Sequence, residues 1–233
     1  MTRDAFTQQD LRNAPAYGIP EAAGYLRLPV STLRAWTLGQ RYRVSGKPKV
    51  FKPVIAIADR KNRQLSFINL VEAFVLAGVR RKHDISLPKV RKAVEYLRRA
   101  FHTNRPLAEV QFQTDGVDLF VEKFGSLIGA TQEGQLQMRE IIRNRLKRVL
   151  RDPRGVPEKI VLFRCGREKP SSADVVIDPK FSFGRPILDG LGVRTAILAE
   201  RFDAGDNVEE LAREYEAPPE AVQNAIRCER RAA

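Results

Sequence analysis

Cysteine, histidine and methionine are scarce in this chain, with two of each among 233 residues. Cys165 and Cys228 are too few and too far apart for a disulfide framework or a C-x-x-C metal clip. His83 and His102 stand alone, without a second histidine or a cysteine at ligand spacing, so the common zinc patterns are excluded. No run approaches the roughly 18 apolar residues that cross a bilayer. The opening Met1-Thr2-Arg3-Asp4 lacks the apolar core of an export signal. A Gly-rich phosphate loop, a Ser/His/Asp arrangement, an internal repeat and a low-complexity tract are missing too. These absences point away from an enzyme, a metal site, a cofactor and a membrane partner, and toward a soluble cytoplasmic chain.

What is abundant is positive charge. Lys and Arg number 41 against 28 Asp and Glu, a formal net charge of +13. Residues 1–103 hold a net of +13, residues 104–172 a net of +4, and residues 173–233 a net of −4. The first hundred residues therefore account for the whole surplus, as expected of an anion-binding front and a back end with another task. Twelve Phe and a hydrophobic fraction of 43% leave enough apolar surface for a folded core. Nucleic acid is the first partner that such a balance suggests.

The apolar spacing predicts a short helix over Ile19–Leu26, an interruption at Arg27-Leu28-Pro29, and a second short helix to Leu38, with cap chemistry from Ser31 and Thr32 and a stop at Gly39. Two short helices around a tight turn form a helix-turn-helix pattern. From Arg41 to Arg63 run Arg41, Arg43, Lys47, Lys49, Lys52, Arg60, Lys61 and Arg63, against the single acid Asp59. Within this stretch Val54–Ile57 and Leu65–Phe67 read as the strands of a basic hairpin. Helices follow over Ile68–Ala77 and Ser86–Phe101. Val110–Gln113 and Val117–Val121 flank Thr114-Asp115-Gly116 as a second hairpin. A helix over Gln135–Leu150, strands at Ile160–Phe163 and Val175–Ile177, and three short helices near 193–204, 207–216 and 219–229 complete the reading. The fold expected is α+β and mostly helical. A winged helix-turn-helix spans 1–103, a small mixed α/β middle domain 104–172, and a helical C-terminal domain 173–233.

The segment Ile19-Pro20-Glu21-Ala22-Ala23-Gly24-Tyr25-Leu26 through Ser31-Thr32-Leu33-Arg34-Ala35-Trp36 resembles the DNA-reading unit of MerR-like winged helix-turn-helix proteins. The resemblance places Ser31, Thr32 and Arg34 on DNA-facing positions and makes the basic hairpin a wing over phosphates. Where the family turn carries Gly this chain has Arg27, itself placed to reach a phosphate; Trp36 continues the apolar face of Leu33. Near the other end, Phe183-Gly184-Arg185-Pro186-Ile187-Leu188-Asp189-Gly190 and Gly205-Asp206-Asn207-Val208 resemble a small helical domain that recurs in antitoxins paired with PIN-type ribonuclease toxins. Leu191-Gly192 replaces the usual Thr after the second Gly.

Together these pieces resemble an antitoxin of the VapB type. The resemblance implies a homodimer that binds operator DNA, represses its own operon and neutralises a cognate PIN-type toxin. PIN ribonucleases hold divalent metal between carboxylates, and an inserted arginine would satisfy those acids and exclude the ion. Arg230 and Arg231, beside the end of the chain, are the candidates for that role. Three further readings are available. The chain is a stand-alone MerR-like regulator with a small effector, or Asp115, Asp118 and Glu122 bind a cation, or Arg143, Arg145, Lys147, Arg148 and Arg151 extend the DNA footprint.

Overall fold

The structure, a computed structural model, describes residues 10–44, 47–80, 87–109, 112–166, 171 and 173–230. It is α+β and mostly helical, as the sequence implies. A two-residue strand β1 (Tyr17–Gly18) leads into α1 (Ile19–Leu26), and α2 (Val30–Leu38) follows. Pro20 sits at the start of α1, and the Glu21 carboxylate reaches back to accept the Gly18 N–H at 3.3 Å, the half of a capping box that a glycine N-cap allows. Arg27 ends α1 in the left-handed region, with φ 53°. The turn therefore keeps the conformation that a glycine adopts without strain, although the residue is an arginine.

The hairpin lies earlier than Val54–Ile57 and Leu65–Phe67. Its strands are β2 (Gln40–Val44) and β3 (Lys47–Phe51), which pair antiparallel with Gln40 opposite Phe51 and Arg41 opposite Val50. Gly39 makes the junction possible. Its φ is +82°, and a Cβ there would stand 2.2 Å from the Phe51 carbonyl oxygen. Val54 and Ile55 form no strand: both are buried, and their N–H groups donate to the Trp36 carbonyl at 2.7 and 3.0 Å. The apolar run 54–57 is thus a tuck beneath α2. β4 (Gln64–Leu65) pairs instead with β1.

α3 (Phe67–Arg80) and α4 (Leu87–Ala100) follow; of the second expected hairpin Val110 and Gln111 lie outside the described residues, and the rest is replaced by helix. A single π turn at Phe112–Gly116 runs into α5 (Val117–Ile128). Val117, Phe120, Val121 and Phe124 repeat at three- and four-residue spacing and are all buried, which is the helical period. The Phe120 ring stacks on Phe124 at 5.5 Å and meets Phe112 edge-on at 6.1 Å. α6 (Gln132–Leu146) starts and stops earlier than Gln135–Leu150, because Val149 and Leu150 belong to β5 (Val149–Arg151). β5 begins an antiparallel sheet with β6 (Pro157–Phe163), β7 (Val175–Ile177) and β8 (Ile187–Leu188), in that order. α7 (Thr195–Asp203), α8 (Val208–Glu214) and α9 (Pro219–Glu229) close the chain, α8 with a reciprocal Asn207–Glu210 capping box.

One buried apolar cluster runs from Tyr17 through α3, α5 and the sheet to Cys228. α9 packs on α7, on the sheet and on α1, so front and back share this core. The join is made by the Gly-Arg-Pro-Ile segment that the sequence analysis singled out. Gly184 has φ +74° and lies flat against the fully buried Tyr17, where a Cβ would meet the phenolic oxygen at 2.2 Å. Arg185 pairs with Glu21 at 2.9 Å and donates to the Ala16 carbonyl at 3.2 Å. Arg12 pairs with Asp152 at 2.7 Å on the other side of the join. Gly184→Ala should therefore lower unfolding stability by about 3 kcal/mol in urea titrations, from clash plus left-handed strain. Gly192→Ala, with φ +68° and nothing within 4 Å of the new methyl, should cost only about 1 kcal/mol. Equal losses would show that the contact with Tyr17 contributes nothing.

Candidate nucleic-acid interface

Pro29 precedes α2 and its carbonyl accepts the N–H groups of Thr32 and Leu33, so the helix starts at Val30 without a side-chain cap from Ser31 or Thr32. Its inner face is Thr32, Leu33, Trp36 and Thr37, all buried. Trp36 is core, as its place beside Leu33 implies. Val30, Ser31 and Arg34 are exposed on the opposite face. Thr32 is the correction. It is 4% exposed and shares the buried side of the helix with Trp36, one turn on, so its hydroxyl does not face outward.

Beyond Gly39, Arg41 is exposed on β2, and Lys52 is exposed just past β3. Arg43, Lys47 and Lys49 are paired within the hairpin, Arg43 opposite Pro48 and Tyr42 opposite Lys49, while their side chains lie outside the described residues. A second basic element is the tight loop 59–63. Asp59 accepts hydrogen bonds from the Asn62 N–H at 2.9 Å and its side-chain amide at 2.7 Å, which holds the Asp59 carboxyl below its ordinary range. The single acid of the basic stretch is thus committed to shaping the turn. Arg60, Lys61 and Arg63 project from it, exposed, with Arg63 at φ 57°.

The loop is anchored from below by Asn69, which the sequence reading missed. Its Oδ1 accepts the Ala58 N–H at 2.9 Å and both the N–H and hydroxyl of Ser66, while its Nδ2 donates to the Ala56 carbonyl at 2.9 Å. Ser66 in return caps α3 by accepting the Asn69 N–H. A Ser followed three residues later by a polar amide, before an apolar run, is the available sequence signal. Asn69 Nδ2 also donates to Glu72, which is 1% exposed. Burial pushes the Glu72 carboxyl up to about 7, against the opposing pull of the Asn69 amide and of the Arg105 and Arg98 charges.

Several expected sites sit differently. The Arg27 guanidinium lies 4.6 Å over the Phe163 ring and donates to the Arg227 carbonyl at 3.0 Å, so it ties α1 to β6 and α9. Arg230 donates to Asp203 at 2.9 Å and lies 4.9 Å over the Phe202 ring, folded onto the end of α7 and not held free. Arg231 falls outside the described residues. Of the middle arginines, Arg143 joins Arg139 on Asp118, and Arg145 lies 4.6 Å over Phe74. Arg148 donates to the Val161 carbonyl at 2.8 Å, and Arg151 to the Ala108 and Gly155 carbonyls at 2.7 Å each. These cations staple elements together. Asp118 is accordingly held by arginines, and among the described residues no group of three or more His, Cys, Asp or Glu is placed to hold a metal. Among them, too, no helix is long and apolar enough to cross a membrane.

Comparison with known proteins agrees with this layout. A family model described as "Putative DNA-binding HTH domain" matches residues 15–94, and one described as "Protein of unknown function (DUF433)" matches residues 175–227. The chain is 27% identical to "Putative antitoxin VapB45" of Mycobacterium tuberculosis over 231 residues, covering 92% of this chain and 93% of that protein. It is 25% identical over 224 residues to the uncharacterized protein Rv2308 of the same organism, covering 90% of this chain and 88% of that one. The crystal structure of Rv2018 from M. tuberculosis superposes with a TM-score of 0.68 at 25% identity, covering 91% of this chain and 98% of that chain. The likeness to "Putative antitoxin VapB45" thus extends over nearly the whole chain, including the segments that the two family models match.

Glu72 makes the anchoring network pH-dependent. Its folded-state value, about 7, lies above the ordinary 4.5. The folded state therefore keeps a proton that the unfolded chain releases, and stability falls as pH rises from 4.5 to about 7. Relative to Glu72→Gln, the natural chain should lose on the order of 3 kcal/mol between about pH 5 and pH 8. Urea unfolding of both proteins across that range measures it, and parallel pH profiles would refute it.

Proposed function

We propose that this chain is the antitoxin of a type II toxin–antitoxin pair, a cytoplasmic homodimer that binds its own operator and represses it while neutralising a PIN-type ribonuclease. The observation that carries the DNA half is the exposed face of α2 beside two basic elements, on the segment matched by the DNA-binding family model. In this reading Ser31 and Arg34 approach base edges in the major groove. Arg41, Arg43, Lys47, Lys49 and Lys52 act from the hairpin as a wing along the backbone, and Arg60, Lys61 and Arg63 approach the phosphates from the adjoining loop. Thr32 and Arg27 leave the contact set, the first because it is buried, the second because its charge is used on Phe163 and Arg227. A two-fold dimer would bring two such units to half-sites about 10 bp apart.

The toxin half rests on the likeness to "Putative antitoxin VapB45" and on the surface of the C-terminal segment. Phe181, Phe183, Leu191 and Ile197 are exposed there, Phe183 to 93%. Ser182, Phe183 and Gly184 have φ of 47°, 54° and 74°, three successive left-handed residues that hold the ring outward. Two exposed phenylalanine rings, two residues apart on one tight turn, favour a protein partner over a nucleic acid. Arg230, held by Asp203, would have to leave that carboxylate to enter a metal site, so the aromatic tip takes its place as the proposed toxin contact.

Three variants separate the parts. Arg34→Ala should remove roughly 1–3 kcal/mol of discrimination between operator and random duplex. Arg60→Ala should weaken both equally and reduce the slope of log affinity against log salt by about one. Fluorescence anisotropy with labelled duplexes reads both, and equal losses for Arg34→Ala on the two duplexes would make it a phosphate contact. Phe183→Ser should reduce recovery of the neighbouring open reading frame's product in a co-expression pull-down by about 10-fold, while DNA affinity is kept. Full recovery with Phe183→Ser would remove the tip from the toxin interface.

A further inference from the structure

Between the exit of the hairpin and α4 lies a cleft of about 480 Å³, within the roughly 300–1,000 Å³ typical of small-molecule sites. Leu38 at the end of α2, with Val50 and Phe51 at the end of β3, supplies an apolar wall. Val50 is 65% exposed. Lys52, Arg60 and Arg98 supply three cations around it. Among the described residues none of the three has a carboxylate within ion-pair distance; Arg98 spends one N–H on the Val54 carbonyl at 2.6 Å and its Nε has no acceptor. The one acid of the lining, Glu95, already faces Arg91 at 3.5 Å.

We infer that this cleft binds a small organic anion with an aromatic or otherwise apolar body. Its carboxylate, sulfonate or phosphate head would lie among Lys52, Arg60 and Arg98, and its body against Leu38, Val50 and Phe51. A hydrated DNA backbone would use the cations but leave the apolar wall unsatisfied, whereas an amphiphilic anion uses both. The walls come from α2, the hairpin and α4, so an occupant favours one mutual placement of the recognition helix and the hairpin. Binding there is linked to duplex affinity, a consequence that rests on the DNA reading above; the site itself does not.

The test uses the full chain and two dyes. 8-Anilinonaphthalene-1-sulfonate carries rings and a sulfonate, while N-phenyl-1-naphthylamine carries the rings alone. Fluorescence titration should give saturable binding of one equivalent of the sulfonate, with the uncharged dye about 10-fold weaker. The Lys52→Ala/Arg60→Ala double variant should bind the sulfonate about 10-fold more weakly, and Leu136→Ser, at an exposed apolar residue of α6, should bind it unchanged. Equal binding of the two dyes, or an unaffected double variant, would overturn the site. Strict mutual exclusion between the dye and a short duplex would support the linkage with a negative sign, because Lys52 and Arg60 are also the proposed phosphate contacts. Simultaneous binding with a changed duplex affinity supports the linkage, and simultaneous binding with no change removes it. A chain that binds the dye as described but no duplex at all would defeat the DNA reading and leave the site standing.

Discussion

The contact on which the rest of the molecule depends is that of the Tyr17 ring with the bare backbone of Gly184. It brings a front with a net charge of +13 against a back end of −4, and the Arg185–Glu21 pair beside it fixes the register of the two. Because Tyr17 belongs to β1 and β1 pairs with β4, the contact also sets the strand that leads into α3. α3 begins with the Ser66–Asn69 cap, and that cap holds the loop bearing Arg60, Lys61 and Arg63. A contact in the C-terminal segment therefore reaches the basic surface through an unbroken series of packed and hydrogen-bonded groups.

Arginine serves two physical ends in this chain, and composition alone does not separate them. Where a guanidinium finds an aromatic face or several carbonyls, as Arg27, Arg145, Arg148 and Arg151 do, it ties together elements that also share the apolar core. Burial then acts against the charge: the guanidinium of Arg151 is held below its ordinary value by desolvation. Where no such partner exists among the described residues, as at Arg34, Arg41 and Arg60, the charge remains in water and free to meet an anion. The net charge counts both kinds alike. The proposed interface, on α2, the hairpin and one loop, is consequently smaller than the surplus suggests.

Local punctuation was the legible part of the sequence. α1 has the expected bounds Ile19–Leu26, before the interruption at Arg27-Leu28-Pro29, and α9 the expected 219–229, while α8 falls inside the expected 207–216. Strands were less legible. Val54–Ile57 has strand composition because β-branched residues also suit a buried tuck, whereas Gln-Arg-Tyr-Arg-Val and Lys-Pro-Lys-Val-Phe, which do form strands, have no clean apolar alternation. Residues 117–121 were misread by weighing the Thr114-Asp115-Gly116 turn signal above the spacing of Val117, Phe120, Val121 and Phe124. In the candidate site, Ser31 and Arg34 could be read from a resemblance, but Thr32 could have been withdrawn by helical phase alone, since it lies one turn before Trp36. The partners of Arg27 and Arg230 are contributed by distant segments or by a helix end, so no local pattern announces them.

The join between Ala16 and Arg185 spans 169 residues of sequence. During synthesis at 5–20 residues per second, the two halves of that contact leave the ribosome roughly 10–30 s apart. For that interval α1 lacks the partner that covers Tyr17, and the helix-turn-helix is exposed as an incomplete unit with an uncovered apolar edge. Only a chain translated past Arg185 can close the edge. A chain halted before that point keeps the whole basic front but leaves the Tyr17 ring without its cover.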